Sequence, residues 1–146
     1  MLVLPAALVP FLEGGNSLLA GTRDAQRMPH VARAVGLRVA ADRAHFTVFL
    51  PEAPARLALR DLESVPLIAI TASEPPTHRT IQVKGRVLAL RAPDASERAL
   101  VESYPERLAS VVAYAGLARA TVMRLNVWPA RAVDVEVTDV FDQTPG

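Results

Sequence analysis

The chain has 146 residues, of which 51% are hydrophobic, and this is enough to build one packed core, so we predict a single domain over residues 1–146. A formal net charge of +1 and a few scattered aromatic residues argue against a nucleic-acid-binding surface. The absence of cysteine excludes disulfides, thiolate metal sites and a cysteine nucleophile, and it favours a reducing, cytoplasmic compartment.

The apolar N-terminal stretch, residues 2–12, predicts a short amphipathic helix. It contains prolines and no basic residue precedes Arg23, which argues against a signal peptide. No apolar run reaches the roughly 18 residues of a membrane span, so we expect no membrane partner. A strand over residues 16–22, a polar turn and a second strand over residues 28–39 then have the pattern of a β-hairpin.

The second strand has two unlike faces. One face carries Val31, Arg33, Val35, Leu37 and Val39, and the other carries His30, Ala32, Ala34, Gly36 and Arg38. The mostly small second face leaves room for a flat ligand or for another backbone, and an alanine-rich composition would give the same pattern.

The middle of the chain predicts a strand, a short helix and a buried strand. The strand over residues 45–50 stops at Pro51, which has no backbone N–H to donate to a ladder. Residues 55–64 contain good helix formers and precede a proline, which predicts a short helix. Residues 67–70 form a continuous apolar run before Thr71, which is typical of a buried strand over residues 67–71.

A two-faced strand follows, in which polar Thr80, Gln82 and Lys84 alternate with apolar residues. It continues to residue 90 through Gly85, which predicts a bulge or a bend. The preceding loop is rich in hydroxyl and cationic groups, so donors for a phosphate and for the edge of a heterocycle would converge there. A plain strand with one solvated face gives the same pattern.

The main helix is predicted to begin at a capping pair formed by Asp94 and Glu97. Its apolar stripe comprises Leu100, Val101, Tyr104, Leu108, Val111, Val112 and Ala115. Pro105 is expected to kink or split the helix, and Gly116 to close it.

Two further strands, over residues 122–127 and 133–138, are predicted from their alternation, with a corner at residues 128–130. Seven strands and two substantial helices favour an antiparallel barrel over a doubly wound parallel sheet.

No linear motif indicates a metal site, a hydrolase or a nucleotide-binding loop. The three histidines, His30, His45 and His78, are far apart and lie in no metal-ligand pattern. There is no nucleophile elbow, no paired carboxylate motif and no glycine-rich phosphate loop. A cofactor site assembled from barrel strands has a weak linear signature, so the lack of these motifs does not argue against one.

Three segments resemble the FMN-binding split barrels related to pyridoxamine 5'-phosphate oxidase. They are Leu19 to Arg33, with its turn and proline-containing return strand, Phe46 to Arg56, and Arg79 to Gly85. The resemblance spans nearly the whole chain. It implies a mainly β (α+β) fold, a split β-barrel of about six to seven antiparallel strands with two to three flanking helices.

The resemblance also implies FMN as the cofactor and a set of binding residues. These are Arg33, Phe49, Leu50, Arg56, Thr80, Gln82 and Lys84. Arg56 would hold the phosphate, Thr80 and Gln82 would donate hydrogen bonds, and Phe49 and Leu50 would lie at the ring edge. Family members are usually homodimers with the flavin between subunits, which implies a homodimer here.

The expected function is that of an FMN-binding flavoprotein, a flavin-dependent oxidoreductase acting on an unknown small molecule. The C-terminal arginine motif of the true oxidase has no match, so pyridoxamine phosphate is not the predicted substrate. The alternative is a non-enzymatic split barrel that binds flavin or haem for storage or sensing, or that has lost ligand binding.

Overall fold

Seven antiparallel strands form one sheet in the computed structural model, which describes residues 1–113 and 116–146. The strands are β1 (Ser17–Arg23), β2 (Pro29–Arg33), β3 (Leu37–Val39), β4 (His45–Pro51), β5 (Leu67–Glu74), β6 (Arg79–Arg91) and β7 (Ala130–Asp142). The helices are α1 (Leu8–Glu13), α2 (Arg56–Ser64), α3 (Ala95–Val112) and α4 (Arg119–Val122). The sheet order is β2-β1-β5-β6-β7-β4-β3. This architecture confirms the predicted split-barrel class.

The two ends of the sheet meet at the segment between β2 and β3, residues 34–36. On one side the N–H of Ala34 donates to the carbonyl of Leu18 in β1 at 2.9 Å. On the other side the N–H of Val35 donates to the carbonyl of Phe49 in β4, and the N–H of Phe49 donates to the carbonyl of Gly36. The ladder is therefore interrupted and the barrel is split at this point.

The predicted second strand is thus two strands, and its faces exchange at the break. Gly36 has a φ of +151°, a conformation that side chains disfavour. Val31 points outward and is exposed, whereas Val35 and Leu37 are buried in the core. The single continuous face predicted for residues 31–39 is therefore wrong.

The core lies on the inner face of the sheet, and all four helices contribute buried residues to it. In β6 the side chains of Ile81 and Val83 point inward and are buried, while Thr80, Gln82 and Lys84 point outward. This confirms the two-faced strand predicted from the alternation. The predicted bulge is also confirmed, since the register between β6 and β7 shifts between Lys84 and Gly85.

Helix α3 begins at the predicted capping box. The N–H of Glu97 donates to Oδ1 of Asp94 at 2.8 Å, and the N–H of Asp94 donates to Oε1 of Glu97 at 3.0 Å. The helix is continuous through Pro105, so of the two alternatives expected there the split is wrong, and the kink stays a prediction. The side chain of Ser103 donates to the carbonyl of Leu100, and Tyr104 donates from its hydroxyl to the carbonyl of Asn16 at 2.6 Å. The second bond ties α3 to the start of β1.

The strand predicted over residues 122–127 is wrong. Residues 119–122 form α4 and the chain is irregular from there to Pro129, because Val122 and Leu125, which a strand would place on opposite faces, both pack against the core. Helix α3 ends at Val112, before Gly116, and Ala115 of the predicted stripe lies outside the described residues.

None of the helices in the described part of the chain combines the length and apolar character needed to cross a membrane.

Candidate functional site

A shallow trough of about 500 Å³ runs across the outer face of β1, β5 and β6. Its floor is made by Gly21 and Ala69, which are directly paired between β1 and β5. Ala69 is in turn paired with Lys84 in β6, and Val31 stands at the opposite end of the same row. Two small residues between two larger ones leave a flat recess, wide enough for a planar group to approach the backbone.

Polar side chains form the neighbouring row across the same face. Gln82 is paired with Thr71 of β5 on one side and with Phe141 of β7 on the other. The amide of Gln82 donates to Oγ1 of Thr71 at 3.4 Å, and the amide of Gln143 donates to Oε1 of Gln82 at 3.4 Å. Both bonds are long, so a ligand with better geometry can replace them.

Lys84 stands between the trough and Phe141. Its Nζ lies 5.4 Å from the centroid of the Phe141 ring, a cation–π distance. Within the described residues Lys84 forms no salt bridge, although Asp139 is its partner in the ladder. Its ammonium is therefore free to bind an anion at the edge of the trough.

Thr80 lies on the same face at the start of β6. Its hydroxyl donates to the carbonyl of His78 at 3.1 Å and lies 3.4 Å from the hydroxyl of Ser73. Thr80, Gln82 and Lys84 are thus brought together in one column, as the alternation predicted. Lys84 lines the trough itself, and Gln82 and Thr80 continue the column away from it along the same face.

The other four predicted residues lie elsewhere. The side chains of Phe49 and Leu50 are 0% exposed, and the N–H and carbonyl of Phe49 are both used within the barrel. Arg56 is exposed in the first turn of α2, which packs against β1 and β2. Arg33 shares a cross-strand row with Gln82, but three strand spacings of about 4.8 Å separate them and the Arg33 side chain contacts Ser17.

The small face of the predicted second strand does not form the trough. Ala32 and Ala34 are buried in the barrel core, and a side chain at Gly36 would meet the ring of Phe49. The floor of small residues comes instead from Gly21 and Ala69, on two other strands.

Large apolar side chains surround the trough and face solvent. Val31 is 70% exposed, Leu67 48%, Phe141 43% and Leu19 38%. Leu19 and Phe141 belong to the row of Gln82, and Val31 to the row of Lys84. A monomer rarely leaves so many apolar side chains exposed on one face, which is typical of an interaction surface.

A buried polar cluster lies beneath α2 and was missed by the sequence analysis. Asp61, 4% exposed, accepts a hydrogen bond from the hydroxyl of Thr22 at 2.8 Å, and its Oδ2 lies 2.6 Å from Nδ1 of His30. Asp61 is separated in the sequence from Thr22 and His30, which lie on the hairpin, so no linear motif indicates the cluster. The cluster fastens α2 to the β1–β2 hairpin, beside a cleft of about 490 Å³.

No family model matches the chain, and no curated protein matches it. Solved structures do match it. An F420 reductase has 18% sequence identity and a TM-score of 0.63, covering 96% of this chain and 100% of that chain. A protein of Lactobacillus delbrueckii named as a candidate pyridoxamine 5'-phosphate oxidase has 16% identity and a TM-score of 0.59, covering 95% and 93%. An FMN-binding protein of Syntrophomonas wolfei has 11% identity and a TM-score of 0.57, covering 96% and 88%. At sequence identities this low, the structural matches show a shared fold and nothing further.

Proposed function

We propose that this chain, whose fold is that of the FMN-binding split barrels related to pyridoxamine 5'-phosphate oxidase, binds FMN without a covalent bond in the trough on its outer sheet face. The observation that carries the proposal is the flat floor of Gly21 and Ala69, with the ammonium group of Lys84 at its edge and the amide of Gln82 and the hydroxyl of Thr71 in the next row of the same face. A planar heterocycle with a phosphate tail needs this combination of shape and donors.

The residues present fit this cofactor. Gln82 and Thr71 can exchange their long mutual bond for hydrogen bonds to the polar edge of the ring. Lys84 can neutralise negative charge, either on the phosphate or on the ring. FMN supplies hydride or single-electron transfer when it is bound, so the reaction class we propose is oxidoreduction of a small molecule.

A second copy of the chain is the proposed cover of the trough. The apolar side chains of Val31 and Leu67 line a recess that is open to solvent in one subunit, and Leu19 is exposed in the next row of the same face. A homodimer formed through this face would bury them and would exclude water from the ring. The proposed functional unit is therefore a homodimer with FMN between its subunits.

Gly21→Val is expected to weaken FMN binding at least about ten-fold while the fold is retained. A Cβ at position 21 would meet only the carbonyl oxygen of Ala69, at 3.7 Å, and valine is favoured in strands. The valine side chain would nevertheless fill the floor of the trough. The measurement is a titration of the FMN-free protein with FMN, followed by absorbance and by flavin fluorescence, with thermal unfolding to verify the fold.

Ala89→Val is the matched control, because Ala89 is exposed on the same strand as Gln82 but beyond the bulge. FMN binding that is equally strong in the wild type and in Gly21→Val would refute the site.

Lys84→Gln and Arg56→Ala, measured in parallel, locate the phosphate of FMN. The residue whose replacement causes the larger loss of FMN affinity is the phosphate ligand. Arg56 is the residue implied by the family resemblance, whereas Lys84 is the one beside the trough.

Val31→Glu is expected to convert the dimer into a monomer and to lower FMN retention. Val31 is exposed in one subunit, so the change should leave the subunit's own stability nearly unaltered, but it places a carboxylate in an apolar contact. The molar mass in solution, measured by light scattering during size-exclusion chromatography, should fall by half. Leu88→Glu, an exposed apolar position on the far part of β6, should leave the mass unchanged.

Turnover separates an oxidoreductase from a storage or sensing protein. The FMN-loaded protein is mixed with NADH or NADPH in the absence of oxygen, and the flavin absorbance is followed. Bleaching by the nucleotide and recovery on adding an acceptor support the oxidoreductase. Reduction by dithionite alone would assign the protein to the non-enzymatic alternative.

A further inference from the structure

A second cavity, of about 210 Å³, lies between the outer side of β1 and β2 and the helices α3 and α4. Its walls are mostly apolar and include Leu108, Val112, Leu117, Val122 and Leu125. The polar residues that line it are Ser17, Arg33 and Thr121. None of these residues lines the trough, so the two sites are separate.

Arg33 is the unusual member of this lining. Its side chain is half-buried, and its guanidinium donates from Nη1 to the hydroxyl of Ser17 at 3.2 Å. In the part of the chain that the structure describes, it forms no salt bridge with a carboxylate. A cation held against apolar walls is costly unless an anion compensates it.

The phenol of Tyr104 lies close enough to Arg33 to interact with it, but it is not an anion. Burial raises the pKa of Tyr104, an effect that the nearby Arg33 partly opposes, and the hydroxyl donates its proton to the carbonyl of Asn16. The phenol is therefore neutral at physiological pH, and the charge of Arg33 is left for a ligand.

We propose that this cavity binds a short aliphatic carboxylic acid, with its carboxylate on Arg33 and Ser17 and its tail against Leu108, Val112 and Val122. A guanidinium is the side chain best suited to a carboxylate, because its fork donates two parallel hydrogen bonds. The volume has room for roughly seven heavy atoms at about 30 Å³ each, which sets the class as a short-chain acid.

The test uses pentanoate, pentan-1-ol and pentylamine as probes in calorimetric titrations of the wild-type protein. Pentanoate should bind at least ten-fold more tightly than the alcohol, and the amine should not bind. Acetate, which lacks the tail, should also bind at least ten-fold more weakly than pentanoate. These comparisons need no variant, so they stand even if a substitution disturbs the fold.

Arg33→Gln should weaken pentanoate binding at least ten-fold and leave the affinity for pentan-1-ol unchanged. Arg124→Gln, at an exposed arginine that does not line the cavity, is the control and should bind pentanoate like the wild type. Equal affinities for pentanoate and pentan-1-ol, or unaltered pentanoate binding by Arg33→Gln, would overturn the assignment.

Competition with FMN separates this cavity from the proposed cofactor site. Saturating pentanoate should leave FMN affinity unchanged, and displacement of FMN by pentanoate would place the acid in the trough and overturn the proposal. If FMN does not bind, the pentanoate titrations still test whether the cavity around Arg33 binds a carboxylic acid.

Discussion

Glu97→Gln is expected to lower the free energy of unfolding by about 3 kcal/mol, because it leaves partly buried guanidinium groups without their carboxylate. Glu97 is 0% exposed, and its side chain accepts hydrogen bonds from Nη1 and Nη2 of Arg91 at 2.7 and 2.8 Å. It also accepts one from Nη2 of Arg38 at 3.0 Å. These contacts join the start of α3 to β6 and β3, so the loss affects tertiary structure and not one helix alone.

The expected loss of unfolding free energy is near the lower end of the range for breaking a buried ion pair. Arg91 keeps its second carboxylate, since its Nε donates to Oδ2 of Asp134 at 2.8 Å, and Arg38 reaches solvent. Denaturation by urea, followed by circular dichroism, measures the difference between the variants. Glu102→Gln is the matched control on the same helix, because the pair between Glu102 and Arg98 is exposed and should contribute less than about 0.5 kcal/mol. Equal losses in the two variants would contradict the burial argument.

The same network makes stability depend on pH in a predictable direction. Hydrogen bonds from Arg91 lower the pKa of Glu97 in the folded protein more than burial raises it. Burial alone would raise the pKa of Asp134, but hydrogen bonds from Arg91 and Thr47 outweigh it and lower the pKa. A lowered pKa stabilises the folded state above the ordinary pKa, near 4.5 for Glu97, and this contribution is lost as the pH falls further. Glu97→Gln should therefore unfold with a shallower dependence on pH below about 4.5 than the wild type.

Elements with local signals were predictable from the sequence. The capping pair of Asp94 and Glu97 fixes the start of α3, and the alternation around Gln82 fixes the faces of β6. Both depend on residues within a few positions of each other. The strand predicted over residues 122–127 failed because a short stretch can alternate by chance while its apolar side chains follow the spacing of a helix.

Features that depend on distant residues were not predictable. The break between β2 and β3 arises because residues 34–36 bond to β1 on one side and to β4 on the other, and only the folded sheet, whose two ends meet here, brings both partners to this segment. Nothing in the hairpin's own sequence distinguishes this from one continuous strand. The cluster of Thr22, His30 and Asp61 likewise needs α2 to pack against the hairpin.

The candidate site also has one part that the sequence predicted and another part that it did not. Its polar column, Thr80, Gln82 and Lys84, was visible as one alternating segment. Its floor was not, because Gly21 and Ala69 become neighbours only through the register of β1 with β5. The cavity around Arg33 depends on α3 and α4 covering the outer side of β1, and it too requires the folded chain.

Gly85→Ala is expected to destabilise the protein by about 2 to 3 kcal/mol, because the β6–β7 ladder leaves no room for a side chain there. A Cβ at position 85 would clash with Cγ1 of Val135 and would lie 2.5 Å from the carbonyl oxygen of Glu136. The first contact involves a side chain that can move, but the second involves backbone that is held in the sheet. Relief therefore requires β7 to separate from β6 at the bulge.

Urea denaturation of Gly85→Ala, with Gly21→Ala as control, tests this expectation. Gly21 lies in a strand of the same sheet, but a Cβ there meets only an ordinary contact at 3.7 Å, so its replacement should be neutral or slightly stabilising. Adding Val135→Ala to Gly85→Ala removes the side-chain clash and should restore only part of the lost free energy of unfolding. Full restoration would contradict the expected backbone clash with the carbonyl of Glu136.

The same substitution is expected to affect FMN binding. Since Lys84 precedes the bulge, opening of the ladder would also move its ammonium away from the trough. Gly85→Ala should therefore bind FMN more weakly even where it remains folded, and this links the bulge to the proposed cofactor site.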